Sequence, residues 1–141
     1  TDVGGLEVKH RSLSEVPRLL LQEKHSIEVN KCIYERQGWP ARNGGLEQAF
    51  IEWASADGSV LAFCKISETR HTFARLRYVK DDGLPAFYSP DFLLRTADAV
   101  YLVETKAQRD VNSPNVQRKL KAAQTWCERI NALPSRQRLM V

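Results

Sequence analysis

The sequence predicts a fold of the α/β (α+β) class, in which one central mixed β-sheet is flanked by helices. Apolar residues recur at helical spacing in two segments, and the runs between them alternate or are continuously apolar, as in strands. The chain has 141 residues, the size of one compact domain that can bury a core. The order helix, strands, helix, strand then favours helices packed on a sheet.

The first helix and the strands lie in the middle of the chain. Leu46, Phe50, Trp53 and Ala54 recur at helical spacing and predict a helix from about Gly44 to Asp57. Four runs with strand patterns follow it. They are Val60–Ile66, Thr72–Val79, Tyr88–Arg95 and Val100–Lys106, with a turn at Asp81-Asp82-Gly83.

A second helix is predicted from Pro114 to Asn131. Ser113 is suited to the N-cap and Pro114 to the first helical position. Pro134 prevents an extension of the helix, and residues 137–141 are expected to open a last strand. The apolar stripe of this helix consists of Val116, Leu120, Ala123, Cys127 and Ile130.

Residues 1–43 are predicted to form an N-terminal helical or linker segment, and residues 44–141 the domain that carries the chemistry. Leu13, Val16, Leu19 and Leu20 suggest an apolar helix face in the first segment. Glycines and Pro40 then interrupt the chain. We expect this segment to be the tail of a preceding domain, within a protein longer than this chain.

Composition excludes some classes of protein. Apolar residues make up 43% and charged residues 27%, and no run is long and apolar enough to cross a bilayer, so no membrane partner is expected. The three cysteines are far apart and follow no zinc spacing. They predict free thiols and a cytoplasmic location. The net charge of +4 is compatible with a polyanionic partner.

Two carboxylates are predicted to face each other. If Phe92–Arg95 and Val100–Glu104 pair around a turn centred between Ala97 and Asp98, Asp91 lies directly opposite Glu104. Their Cβ atoms would be about 4.5–5.5 Å apart. Two negative charges so close favour a divalent cation between them, and oxygen ligands suit Mg²⁺ or, as an alternative, Mn²⁺.

Lys106 is predicted to lie beside this pair. It follows Glu104 by two residues, and the period of a strand places both side chains on one face. An ammonium group there can orient a water nucleophile and stabilise developing negative charge. The alternative is an exposed hairpin in which Glu104 and Lys106 serve only solubility.

These residues resemble motifs of the PD-(D/E)xK nuclease superfamily. More narrowly, the chain is similar to the C-terminal endonuclease domain of the restriction subunits of type III restriction enzymes, over about residues 44–141. The resemblance implies a restriction-endonuclease-like αβββαβ core and Mg²⁺-dependent hydrolysis of DNA. It is carried by Glu47 with Phe50, Tyr88-x-Pro-Asp-Phe92, Tyr101-Leu-Val-Glu-Thr-Lys106 and Lys121-Ala-Ala-x-x-Trp126-Cys127.

The same resemblance implies roles for single residues. Asp91 and Glu104 would bind the metal, Lys106 would position the attacking water, and Glu47 would add a carboxylate from the first helix. Helical phase favours Glu47 over Glu52, because Glu47 lies at the edge of the apolar face. A helicase-like motor, which would use ATP, and a DNA methyltransferase partner would belong to the parent enzyme. No phosphate-binding loop of such a motor occurs in these residues.

Basic residues predict contacts with DNA phosphates. Gln117 and Lys121, one helical turn apart, are the favoured candidates, followed by Lys119 on the same helix and by Arg75 and Arg77 on a strand. For any single one of them, a solvated surface position is the alternative.

Three functions stay open at this point. The favoured one is an endonuclease domain of a restriction system. The second is a non-catalytic DNA-binding module with a nuclease fold. The third is a structure-specific repair nuclease.

Overall fold

The computed structural model describes residues 11–39, 45–106 and 108–133. Two helices and seven short strands form an α+β arrangement in which every described strand pair is antiparallel. Among the described residues, no helix has both the length and the apolarity needed to cross a membrane. The helices are α1 (Gly45–Ala56) and α2 (Pro114–Asn131); the strands are β1 (Ser26–Glu28), β2 (Arg36–Gly38), β3 (Ala62–Lys65), β4 (Leu76–Val79), β5 (Pro85–Tyr88), β6 (Phe92–Arg95) and β7 (Val100–Val103).

The sheet that carries the predicted site has the strand order β3-β6-β7. Within the β6–β7 hairpin, Phe92 pairs with Val103 and Arg95 pairs with Val100. The four residues between these strands form the turn, which the Thr96 amide closes by donating to the Ala99 carbonyl at 2.9 Å. The predicted register of this hairpin is confirmed.

The predicted strand Tyr88–Arg95 is wrong, because the chain leaves one sheet and enters another within it. β5 ends at Tyr88 and pairs with β4, whereas β6 begins at Phe92 and pairs with β3 and β7. Pro90 lies at this break and has no amide hydrogen to donate to a ladder. The predicted strand Thr72–Val79 is also shorter than expected, since Ala74 donates to the His71 carbonyl in a turn.

The single mixed sheet that we expected is replaced by three antiparallel sheets among the described residues. One is the β4–β5 hairpin, whose turn has Gly83 at a φ of 85°, a conformation that favours glycine. Another is the β1–β2 hairpin. The last strand predicted at 137–141 lies outside the described residues.

The helix predicted in the N-terminal segment is also absent where the structure describes it. Residues 11–39 form two short 3-10 helices, Leu13–Glu15 and Glu23–His25, followed by the β1–β2 hairpin. Pro17 interrupts the helical pattern, and Leu20 is 97% exposed instead of lying on an apolar face. The Phe63 amide donates to the Lys31 carbonyl at 2.9 Å, which joins the hairpin to β3. The boundary at residue 43 lies outside the described residues and stays a prediction.

The hydrophobic core fixes α1 against the β3-β6-β7 sheet. It contains Ile51 and Ala54 of α1 with Phe63 and Phe92 of the sheet, all at most 2% exposed. Burial of each large apolar side chain contributes about 1.5–3 kcal/mol. The Phe50 ring packs on the Phe92 ring with 4.5 Å between centroids. The residue next to Phe92 is Asp91, so the core also fixes the start of β6.

The second helix is confirmed with its predicted boundaries and its N-cap. The Ser113 side chain accepts from the Val116 amide, and Pro114 occupies the first turn. Helix α2 packs on β4, and the Tyr88 hydroxyl donates to the Lys119 carbonyl at 3.0 Å. None of its residues is fully buried, and Leu120 of the predicted apolar stripe is 48% exposed.

Candidate active site

Asp91 and Glu104 lie at the same end of the β6–β7 hairpin. They directly flank the pair Phe92 and Val103, so the observed register places them across from each other. Burial raises the pKa of Glu104, and the charge of Asp91 raises it further. The Asp91 amide donates to the Glu104 carboxylate, which has the opposite effect. The structure therefore brings the two predicted carboxylates together.

Thr105 holds the side chain of Asp91 in place. Its amide and its hydroxyl both donate to Asp91 Oδ2, at 2.8 and 2.9 Å. The sequence reasoning treated this position as a spacer between Glu104 and Lys106. The only feature of the sequence that could have indicated this role is the hydroxyl group of Thr105.

Lys106 lies close to Glu104, as the strand period predicted. Lys106 Nζ is 3.7 Å from Glu104 Oε1, and the two side chains are 34% and 32% exposed. The charges of Lys106 and Lys119 both lower the pKa of Glu104 and partly offset the effects of burial and Asp91. Because the side chains of Lys106 and Glu104 are partly exposed, a ligand can reach them.

Glu47 shares a cleft with Asp91 but not with Glu104. Lys65 Nζ of β3 lies 2.5 Å from Glu47 Oε2 in a partly buried ion pair. Glu47, Lys65 and Asp91 line a cleft of about 640 Å³, whereas Glu104 and Lys106 line a second cleft of about 290 Å³. Pro90 lines both clefts. The sequence reasoning missed Lys65.

The expected roles of Glu47, Asp91 and Glu104 as three metal ligands stay a prediction. Across the described ranges, no group of three or more His, Cys, Asp or Glu side chains is arranged to hold a metal ion. What the structure offers is two facing carboxylates, one of which has a raised pKa. Oxygen donors of this kind suit Mg²⁺ or Mn²⁺, and the repulsion between them is what such an ion relieves.

The predicted DNA contacts are only partly collected at this site. Gln117 and Lys119 line the cleft of Glu104 and Lys106. Gln117 Nε2 donates to the Val111 carbonyl at 2.5 Å, and Lys119 Nζ lies 5.6 Å from the centre of the Tyr78 ring. The other three candidates do not line this cleft. Lys121 lines a neighbouring groove, and Arg75 and Arg77 each lie 5.4 Å from the centre of the Phe87 ring.

The three tryptophans differ in how far they are buried. Trp39 packs against the core, whereas Trp53 and Trp126 are 49% and 36% exposed. The Trp53 ring nevertheless packs on the Phe50 ring, with 5.8 Å between centroids.

No protein-family model, curated protein or solved structure matches this chain. The resemblance to PD-(D/E)xK nucleases consequently depends on the motif residues themselves. The β6–β7 register is a separate observation, because it follows from backbone pairing.

Proposed function

We propose that this chain is a metal-dependent endonuclease domain that hydrolyses DNA phosphodiester bonds, with a restriction-endonuclease-like core. The observation that supports this most is the position of Asp91 across from Glu104 with the Lys106 ammonium group 3.7 Å from Glu104. The motif resemblance extends the proposal to a type III-like restriction enzyme. An ATP-driven helicase domain and a DNA methyltransferase subunit would then be its partners.

Each residue of the site has a distinct task in this proposal. Asp91 and Glu104 would hold Mg²⁺, which when bound polarises a phosphoryl oxygen and lowers the pKa of water. Thr105 fixes the Asp91 carboxylate through two hydrogen bonds, so that it is oriented before substrate binds. Lys106 donates hydrogen bonds to a water or to a phosphate oxygen and stabilises negative charge that develops there.

A plasmid-nicking assay tests this proposal. We expect the protein to nick supercoiled DNA with Mg²⁺, and Asp91→Asn, Glu104→Gln and Lys106→Ala each to lower the rate on the order of a hundredfold or more. Thr105→Val should lower it by roughly 10–100-fold, because it acts through Asp91. Asp98→Asn is the matched control, since Asp98 is exposed in the turn between β6 and β7. Nicking that persists in all three site variants would contradict the proposal.

A second candidate is a non-catalytic DNA-binding module. It is favoured by the Glu47–Lys65 ion pair and by the lack of a third metal ligand among the described residues. Calorimetric titration with Mg²⁺ and with Mn²⁺ separates the two functions. Heat of binding that disappears in Asp91→Asn supports the nuclease, whereas no heat up to millimolar metal together with intact DNA binding supports the module.

A further inference from the structure

A strongly positive groove lies between β4 and α2, on the other side of α2 from the Glu104 cleft. Its volume is about 370 Å³. Four cationic side chains line it, and no acidic residue does. The four are Arg77 of β4 and Arg118, Lys121 and Arg129 of α2, all exposed.

No carboxylate of the described residues neutralises the charge of this groove. Among the described residues, none of its four cations forms an ion pair with a carboxylate, whereas Lys65, Lys80 and Lys106 each do. Arg77 instead lies over the Phe87 ring, and Arg118 Nη1 donates to the Val79 carbonyl at 3.5 Å. Unpaired cations that line a concave surface concentrate positive potential there and attract an anionic partner.

The cations of α2 extend along the helix over a length greater than that of one phosphate group. Arg118 and Arg129 lie eleven residues apart on one side of the helix, with Lys121 between them. At 1.5 Å per residue this separation is roughly 16 Å. Measured along the axis of B-form DNA, where successive nucleotides of one strand rise by 3.4 Å, this length spans about five nucleotides. A single phosphate group or one phosphorylated side chain would use only part of this length.

The groove is continuous with the candidate active site. Arg118 and Lys121 also line a shallow hollow across the first turns of α2, together with Gln117 and Leu120. Gln117 and Leu120 in turn line the cleft of Glu104 and Lys106. A strand that lies in the groove can therefore pass over α2 to the facing carboxylates.

We propose that the β4–α2 groove binds the phosphate backbone of duplex DNA and holds it next to the cleavage site. This inference builds on the proposed nuclease function and adds Arg118 and Arg129, which the motifs do not include. Their contacts are to phosphates, so the binding is independent of base sequence.

Binding without metal tests the groove separately from catalysis. Fluorescence anisotropy with a labelled short duplex, in EDTA and over a range of NaCl concentrations, compares two triple variants. The groove variant is Arg118→Gln/Lys121→Gln/Arg129→Gln. The control is Arg18→Gln/Lys24→Gln/Arg95→Gln, which removes the same charge at exposed positions outside the groove. Circular dichroism shows whether each variant is folded.

We expect the groove variant to bind duplex on the order of tenfold or more weakly than the wild type. The slope of log K against log salt should fall in magnitude by about 2–3, since each lost phosphate contact removes about 0.9. The control should change both quantities much less. Because the assay contains no metal, the groove can bind DNA in this test even if the chain never cleaves it.

Three results would overturn the inference. One is equal weakening in both triple variants, which would mean that net charge alone matters. Another is unchanged binding by a folded groove variant. The third is groove-dependent binding to single-stranded DNA or to phosphatidylserine vesicles that exceeds binding to duplex, since the partner would then differ from the one proposed.

Discussion

Cys32 and Cys64 lie side by side where the loop between β1 and β2 meets β3. Gln37 Nε2 is 2.6 Å from Cys32 Sγ, and the Cys64 thiol donates to the Lys65 carbonyl at 3.4 Å. The neighbouring Cys64 thiol lowers the pKa of Cys32, whereas the same contact and burial raise the pKa of Cys64. Burial also raises the pKa of Cys127. The three thiols are free but differ in expected reactivity.

Alkylation measures this difference. We expect iodoacetamide to modify Cys32 first, with a rate that reaches half its maximum below the ordinary cysteine pKa of about 8.5, because the thiolate is the nucleophile. Cys64 and Cys127 should stay largely unmodified over this range. Peptide mass spectrometry after timed quenching gives the rates.

The matched variant for this experiment is Cys64→Ala. It removes the neighbouring thiol that lowers the pKa of Cys32, so the rate profile of Cys32 should move to higher pH. A wild-type profile centred near the ordinary cysteine value of about 8.5 would contradict the expectation.

Carbonyl groups at the C-terminal end of helix α1 accept hydrogen bonds from a side chain that is distant in sequence. Lys31 Nζ donates to the Ala54 carbonyl at 3.0 Å and to the Asp57 carbonyl at 2.8 Å. Carbonyls in the last turn of a helix have no partner within the helix, and a cation there also interacts favourably with the helix dipole. Lys31 thus connects the N-terminal hairpin to the element that packs the core.

Removal of this ammonium group should destabilise the fold. We expect Lys31→Met to lower the free energy of unfolding by roughly 1.5–3 kcal/mol, since hydrogen bonds from a charged donor are lost and the side-chain stem is kept. Urea denaturation followed by circular dichroism measures it. Lys24→Met is the control, because Lys24 is exposed, and its change should stay within about 0.5 kcal/mol.

At the scale of the whole molecule, a buried histidine ties the N-terminal segment to the loop after β3. His71 is fully buried; its Nδ1 accepts from the Ser67 amide at 2.8 Å, and its Nε2 lies 2.7 Å from the Tyr34 hydroxyl. That hydroxyl donates to the Val16 carbonyl at 2.7 Å. Since Nδ1 accepts, the ring is neutral with its proton on Nε2. Burial lowers the pKa of His71 accordingly.

Stability should therefore depend on pH. The unfolded chain binds a proton at His71 more readily than the folded chain does, so the contribution of His71 is complete above about pH 6.5 and declines as the pH falls below it. Glu104 acts in the opposite direction. Because its pKa is raised, its contribution to the free energy of unfolding declines as the pH rises. We expect the free energy of unfolding, measured with urea, to fall less between about pH 7.5 and pH 5.5 in His71→Gln than in the wild type.

His25→Gln is the control for this comparison, since His25 is exposed. It should keep the pH dependence of the wild type. An unchanged dependence in His71→Gln would show that His71 is not the group responsible.

Local patterns in the sequence determined both helices and the register of one hairpin. The boundaries of α2 followed from Ser113, Pro114 and the helical spacing of apolar residues, because caps and periodicity act over a few residues. The opposition of Asp91 and Glu104 followed from the length of a four-residue turn. Short-range geometry suffices for such features.

Only the tertiary structure decided which distant residues meet. Lys65 pairs with Glu47, Thr105 orients Asp91, and the chain changes sheets at Pro90, none of which a sequence period encodes. The cationic groove likewise exists only because α2 packs on β4. Some of these contacts join segments that are far apart in sequence, and others depend on the direction of a side chain. The packing of the whole chain determines which segments meet and how their side chains are directed. The two facing carboxylates come from the hairpin alone, but their surroundings come from the fold.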